Sequence, residues 1–131
     1  MSDSMKQHGA FSWNELITTD VDAAKAFYSS LLDWKLEDMQ SGDMTYTMAM
    51  AGEGKVAGMM MTPPEAAGMP PMWGAYVTVE DVDARAGQVV SLGGKVLVEP
   101  SDIPGIGRFC VIQDPQGATL SLITYVANPA M

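Results

Sequence analysis

One stretch of sequence occurs twice in this chain. The copies are residues 13–23 (WNELITTDVDA) and residues 73–84 (WGAYVTVEDVDA), and Trp, Thr, Asp, Val, Asp and Ala recur in that order if Glu80 is treated as an insertion. Each copy is a β-rich run that ends at an Asp, a residue suited to begin a helix. Two copies about sixty residues apart divide the chain into two similar modules. We therefore expect Trp13 and Trp73 to occupy equivalent places around a shared site.

Both modules are predicted to run strand, helix, strand, strand, strand. The strands are expected at residues 11–19, 34–40, 44–50 and 55–62, and then at 72–80, 95–98, 108–113 and 118–126, with a loop at 99–107. Asp20 and Asp81 are expected to cap the two helices, and Asp33 to end the first helix in the left-handed conformation. Leu16 is expected to face the first helix, because side chains alternate along a strand.

These elements predict one domain over residues 10–127. Module 1 covers about 10–62, a linker with four prolines follows at 63–71, and module 2 covers about 72–127. Residues 1–9 are expected to be a flexible tail, in which His8 is a solvated side chain and not a metal ligand.

Charge and cysteine content restrict the class of protein. The net charge is −9, which argues against nucleic acid as a partner. No apolar run has the length of a membrane span, and no secretory signal is recognisable. Cys110 is the only cysteine, so no internal disulfide forms, and we expect a buried, inert thiol. The sequence predicts a cytoplasmic protein without a membrane partner.

Two further motifs carry a family resemblance. Residues 27–34 (FYSSLLDW) and the turn at 114–117 (DPQG) resemble the vicinal oxygen chelate superfamily, which includes glyoxalase I, extradiol dioxygenases and bleomycin-resistance proteins. Residues 102–109 (DIPGIGRF) resemble a mark of its glyoxalase-like subgroup. The resemblance covers residues 11–126. It implies an α+β fold in which two tandem βαβββ modules form an open, partly closed eight-stranded barrel, with helices outside and the ligand on the concave face.

The resemblance also locates the four strand positions that hold a metal in metal-using members. They fall on Trp13, Gly58, Trp73 and Ser121. Indole offers no lone pair, glycine has no side chain and a neutral serine hydroxyl is a poor ligand. We therefore expect no metal and no other cofactor.

Strand alternation and the resemblance predict which side chains line the concave face. The predicted ligand-binding residues are Trp13, Ile17, Met60, Trp73, Val77, Arg108, Thr119 and Ser121. Arg108 either reaches an anionic ligand or is a surface charge, and the two Trp residues line the cavity or pack in the core. Trp34 is expected to lie away from the ligand.

Glu15 is the titratable side chain predicted to point inward. A carboxylate in an apolar cavity suits a general base, so Glu15 is the candidate catalytic residue. The alternative is a rim position, or a pair with Arg108 or a lysine.

Three functions remain open. The first is metal-independent binding of a small apolar or aromatic molecule, with or without proton transfer by Glu15. The second is a lyase or isomerase of the glyoxalase type, and the third is sequestration of a drug or antibiotic. A homodimer is expected in each case.

Overall fold

The elements follow one another in the order that the repeat predicts. The computed structural model describes residues 3–41 and 44–127, and within them it contains eight strands and two α-helices. They are β1 (Phe11–Thr18), α1 (Val21–Leu32), β2 (Lys35–Ser41), β3 (Met44–Ala51), β4 (Gly54–Met61), β5 (Met72–Thr78), α2 (Val82–Val89), β6 (Lys95–Ile103), β7 (Gly107–Gln113) and β8 (Thr119–Tyr125). The α+β class and the two tandem βαβββ modules are therefore confirmed.

The two helices begin as the repeat predicts. The Asp20 carboxylate accepts a hydrogen bond from the Ala23 N–H at 3.0 Å, and the Asp81 carboxylate accepts one from the Ala84 N–H at 3.1 Å. Asp33 ends α1 with a φ of 58°, the left-handed conformation predicted for it. The duplicated Asp is therefore a helix cap in both modules.

Loss of either cap is expected to destabilise the protein. Asp20→Ala and Asp81→Ala should each lower the free energy of unfolding by about 1 kcal/mol, because a first-turn N–H loses its acceptor. Asp22→Ala is the matched control: Asp22 lies in the first turn of α1 and should cost less than about 0.5 kcal/mol through the helix dipole alone. Urea unfolding of the three variants measures this. Equal losses for Asp20→Ala and Asp22→Ala would contradict the capping role.

Contacts divide the described chain into two compact units. The first unit is residues 14–74, and the second unit is the other described residues. In the first unit the strand order is β2-β3-β4-β1, with β1 parallel to β4 and the other pairs antiparallel. Its core joins Leu16, Ala49, Ala57 and Met59 to α1 residues that include Tyr28, so the prediction that Leu16 faces the helix is confirmed.

The second unit repeats this arrangement. Its strand order is β5-β8-β7-β6, with β5 parallel to β8. Its core contains Val79, Val82, Ala86, Cys110 and Leu122. Burial raises the pKa of the Cys110 thiol, chiefly through loss of hydration, and the prediction that this thiol is buried is confirmed.

Strand β6 is longer than the sequence predicts. It continues to Ile103, so residues 99–103 form a strand and not a loop. Its pairing with β7 shifts register between Val98 and Ser101, where Pro100 stands. A proline, which lacks a ladder donor, is tolerated at such an irregularity on the last strand of the order.

The N-terminal segment makes ordered contacts in the second unit. It contains a 3-10 helix at Asp3–Lys6. The Thr78 hydroxyl donates to the Met5 carbonyl at 2.6 Å, and the Gly9 N–H donates to the Thr78 carbonyl at 2.7 Å. His8 is partly exposed, and its Nδ1 accepts from the Glu80 N–H at 3.0 Å, so this side chain is hydrogen-bonded within the second unit. Within the described residues, no helix has the length and apolar character needed to cross a membrane.

Candidate functional site

A glutamate, a tyrosine and a glycine meet on three neighbouring strands of the first unit. Glu15 on β1 and Gly58 on β4 are direct partners in the parallel register. Tyr46 lies on β3, beyond β4, and its hydroxyl donates to Glu15 Oε2 at 2.8 Å. The Tyr46 ring therefore crosses β4 to reach Glu15.

Gly58 is the residue that permits this crossing. A Cβ atom at position 58 would overlap the hydroxyl and the ring carbons of Tyr46. A side chain of any kind would displace the ring, because the contact is with the ring itself. Glycine at this place therefore makes room for the Tyr46–Glu15 hydrogen bond.

Apolar side chains continue this surface, which we name the Glu15 face. Ile17 pairs with Met60 two residues beyond the Glu15–Gly58 pair, so both lie on the same face. Met48 pairs with Gly58 across β3 and β4 and is 1% exposed. The Glu15 face consists of Glu15, Ile17, Tyr46, Met48, Gly58 and Met60, and it is opposite the side of the sheet on which Leu16 packs with α1. The structure thus brings together three predicted site residues, Glu15, Ile17 and Met60.

Trp73 and Val77 lie on the side of the sheet opposite to the predicted one. Trp73 Nε1 donates to the Tyr28 hydroxyl on α1 at 3.1 Å. Val77 packs against the second unit's core, which includes Val82 on α2. Both side chains therefore face a helix, and their prediction as residues of the concave face is wrong.

A single shift explains both errors. Asp20 and Asp81 are equivalent caps, and counting seven residues back from each gives Trp13 in the first copy but Gly74 in the second. The extra residue of the second copy therefore displaces the whole of β5 by one position. A displacement of one residue moves every side chain of a strand to the other face.

The Arg108 guanidinium is engaged by two carboxylates. It donates to Asp83 on α2 at 2.9 Å and to Asp102 on β6 at 3.0 Å. These hydrogen bonds raise the pKa of Arg108 above its usual value and lower that of Asp83. Of the two alternatives left open for Arg108, this arrangement favours the surface charge. Glu15, for which a pair with Arg108 or a lysine was the alternative to a catalytic role, accepts a hydrogen bond from the Tyr46 hydroxyl.

The other predicted residues are dispersed over the second unit. Trp13 is only 9% exposed, which fits core packing. Ser121 pairs with Tyr76 and lies on the face of β8 opposite Leu122, and Thr119 is exposed at the start of the same strand. Their ligand-binding role remains a prediction.

The residues at the four metal positions do not fit a divalent ion. Trp13 and Ser121 offer poor donors, the place of Gly58 is crossed by the Tyr46 ring, and the second-module position falls on Gly74. Among residues 3–41 and 44–127, no three His, Cys, Asp or Glu side chains form a group suited to a metal.

Tyr46 is a candidate site residue that the sequence did not predict. It stands at the centre of the alternating run 44–48 (MTYTM), which places it on one face with two methionines. Two features of the sequence point to it. Tyr46 is on β3, two strands from Glu15 in the sheet, and the metal position on the strand between them is a glycine, Gly58. Only the register of β1, β3 and β4 joins the three residues.

Comparisons with known proteins agree with the fold. The family model for the Glyoxalase/Bleomycin resistance protein/Dioxygenase superfamily matches residues 10–122. The chain is 38% identical over 120 residues to "Putative glyoxylase CFP32" of Mycobacterium bovis, covering 91% of this chain and 45% of the relative. It is 32% identical over 130 residues to "Anthracycline biosynthesis protein DnrV" of Streptomyces peucetius, covering 87% of this chain and 46% of that relative. The chain thus spans less than half the length of these relatives.

Solved structures show the same fold. Methylmalonyl-CoA epimerase from Mycobacterium tuberculosis has a TM-score of 0.61 at 18% identity, over 100% of this chain and 93% of the epimerase. A variant of methylmalonyl-CoA epimerase from Streptomyces coelicolor, in complex with 2-nitronate-propionyl-CoA, has a TM-score of 0.66 at 18% identity, over 92% of this chain and 100% of the epimerase. At this identity the likeness concerns the fold alone. Because the family model covers most of the chain, this protein belongs to the Glyoxalase/Bleomycin resistance protein/Dioxygenase superfamily.

Proposed function

We propose that this chain binds a small, largely apolar or aromatic molecule on the Glu15 face without a metal ion, and that Glu15 moves a proton of the bound molecule. The observation that carries the proposal is the hydrogen bond from the Tyr46 hydroxyl to Glu15 Oε2. It fixes the orientation of a carboxylate beside Ile17 and Met60, which offer an apolar contact surface. A carboxylate held in this way is suited to general base catalysis.

The reaction class that fits is proton abstraction beside a carbonyl group. The Glu15 carboxylate accepts the proton, the C–H bonding pair moves into the adjacent carbon–carbon bond, and the carbonyl oxygen takes the negative charge. Addition of a proton to the opposite face of that carbon completes an isomerase reaction. If the enolate instead re-forms the carbonyl and expels a group from the next carbon with its bonding pair, the reaction is that of a lyase. The name "Putative glyoxylase CFP32", carried by a relative, supports this class.

Sequestration of a drug or antibiotic is the second candidate. The net charge of −9 suits a cationic compound, and the family includes bleomycin resistance proteins. The name of DnrV places that relative in anthracycline biosynthesis. A binding protein of this kind needs the Glu15 face but no proton transfer, so the two candidates differ in whether bound molecules exchange protons.

We also propose one domain over residues 10–127, a cytoplasmic location and a homodimer. Exposed apolar side chains on α1, Phe27 at 59% and Leu31 at 62%, support association. Sedimentation at tens of micromolar, an order-of-magnitude working concentration, should give a dimer. A monomer at that concentration would contradict the homodimer and leave the Glu15 face intact, because all of its residues come from one unit.

Adjacent methionines offer a test of ligand binding. Met60 lies on the Glu15 face, whereas Met61 points to the opposite face of β4 and is 50% exposed. We expect phenylacetone, a small aromatic ketone, to shift the labelled methyl NMR signal of Met60 and not that of Met61. The shift should survive dialysis against a chelator. Binding that is lost on chelation and restored by a divalent metal, or a shift of Met61 alone, would overturn the proposal.

A further inference from the structure

Three aromatic rings meet on the α1 side of the first unit, opposite the Glu15 face. The ring centroids of Tyr28 and Trp73 are 5.4 Å apart, those of Trp34 and Trp73 are 6.0 Å apart, and those of Tyr28 and Trp34 are 5.8 Å apart. They border a groove of about 360 Å³, within the range of small-molecule sites of about 300–1,000 Å³. The groove, which we name the aromatic groove, is lined by Asn14, Tyr28, Leu32, Trp34, Val56 and Trp73. It shares no residue with the Glu15 face.

Solvent reaches the aromatic groove from outside. Trp73 is 39% exposed and Leu32 is 46% exposed, although both are large apolar side chains. Helix α1 has no buried residue, whereas α2 buries three. Tyr28, Trp34 and Val56 pack against the core of the first unit, and together with Leu32 and Trp73 they leave an accessible apolar surface at the groove.

Two polar groups of the aromatic groove have hydrogen-bonding capacity to spare. Within the described residues, no hydrogen bond engages the side-chain amide of Asn14, and the Tyr28 hydroxyl accepts from Trp73 Nε1 at 3.1 Å without an acceptor for its own proton. Each is thus a hydrogen-bond donor at a wall formed by aromatic rings. A carbonyl oxygen on a flat ring system is the acceptor that matches this arrangement.

The charge of the protein restricts the class of ligand further. None of the six lining residues carries an ammonium, guanidinium or carboxylate group, and the chain as a whole carries −9. An anion would find no counter-charge in the groove and would be repelled by the rest of the protein. We infer that the aromatic groove is a second binding site, for a neutral planar aromatic molecule whose carbonyl accepts a hydrogen bond from Tyr28 or Asn14. This site does not depend on the function proposed for the Glu15 face.

Nitrogen-labelled tryptophan provides the test, since the chain has three indoles. With 1-acetonaphthone as the probe, the indole N–H signals of Trp34 and Trp73 should shift in a saturable way, while that of the buried Trp13 should not. The dissociation constant should be about 1 mM or below, the order expected for a ligand of this size. The Met60 methyl signal reports binding to the Glu15 face separately, so the failure of either site is recognised.

Matched probes and variants test the chemistry. Tyr28→Phe keeps the ring and removes the hydrogen-bond donor. It should therefore lower the affinity for 1-acetonaphthone roughly three- to tenfold and leave the affinity for 1-ethylnaphthalene, which has no carbonyl, unchanged. Asn14→Ala tests the second donor in the same way. The anion 1-naphthoate should bind much more weakly than 1-acetonaphthone to the unmodified protein.

Leu32→Arg tests the location. Leu32 is partly exposed at the groove, so the variant should fold normally and lose binding of 1-acetonaphthone. Unchanged affinity in Leu32→Arg, equal affinity for the ketone and the anion, or a shift confined to Trp13 would overturn the inference. If the indole N–H signals of Trp34 and Trp73 do not respond to 1-acetonaphthone but shift with protein concentration, a second copy of the chain covers the groove. That result also overturns the inference.

Discussion

Glu15→Gln is expected to lower proton exchange of a bound ketone by about 10²- to 10⁴-fold, the usual contribution of a general base. The amide keeps the shape of the carboxylate and still accepts a hydrogen bond from Tyr46, but it does not take a proton. Phenylacetone in deuterium oxide offers a direct measurement, because the C–H groups beside its carbonyl exchange with solvent and disappear from the proton spectrum. The unmodified protein should accelerate this loss, and the variant should bind the ketone without accelerating it.

Glu37→Gln is the matched control for this prediction. Glu37 is an exposed glutamate on β2 of the same unit, so the substitution makes the same change in charge away from Tyr46. The exchange rate should be unaffected. Tyr46→Phe should lower the rate by about tenfold, since a hydrogen bond to a charged group contributes about 1.5–3 kcal/mol and here orients the carboxylate. Full exchange activity in Glu15→Gln would remove the catalytic role and favour sequestration.

Local signals in the sequence were sufficient for the helices. Asp20 and Asp81 cap α1 and α2, and Asp33 adopts the left-handed conformation, because each of these roles depends on a side chain and a backbone only a few residues away. The order of the strands along the chain followed from the repeat. Turn and cap residues mark where each element begins and ends.

The faces of β5 were not predictable from the order of residues alone. An insertion at Glu80 aligns Trp73 with Trp13, whereas an ungapped alignment through Asp20 and Asp81 aligns Gly74 with Trp13, and the two alignments give opposite faces for Trp73 and Val77. The position of the extra residue is decided by packing, in which Val77 joins the core beside α2 and Trp73 contacts Tyr28. The resemblance placed the second-module metal position on Trp73, one residue before Gly74, and so repeated the error in the register of β5.

The partnership of Glu15 with Tyr46 is a long-range feature. The two residues are 31 positions apart in sequence, and the strand that contributes Gly58 lies between them. Alternation within β3 places Tyr46 on a face, but it does not show which glutamate the hydroxyl reaches. That contact depends on the register of three strands and on the absence of one side chain.

Gly58→Ala should therefore have an effect out of proportion to one methyl group. The new Cβ atom would overlap the Tyr46 ring, so the ring has to leave its place and the hydrogen bond to Glu15 is lost. Overpacking of this kind costs about 1–3 kcal/mol of unfolding free energy. Ketone exchange should fall at least as far as in Tyr46→Phe, since Glu15 loses the same partner. Urea unfolding and the exchange assay measure the two effects on one sample.

Gly54→Ala separates this steric effect from the general consequence of removing a glycine. Gly54 is in the same strand, and the nearest atom that its added Cβ would meet is the Ala51 carbonyl oxygen, at 3.7 Å. The variant should change stability by less than about 0.5 kcal/mol, as surface substitutions usually do. In a Tyr46→Ala background, Gly58→Ala should be similarly mild, because the ring it displaces is gone and the two changes are coupled through contact. If Gly58→Ala remains equally destabilising without the Tyr46 ring, the glycine serves the backbone of β4 and not the Glu15–Tyr46 pair.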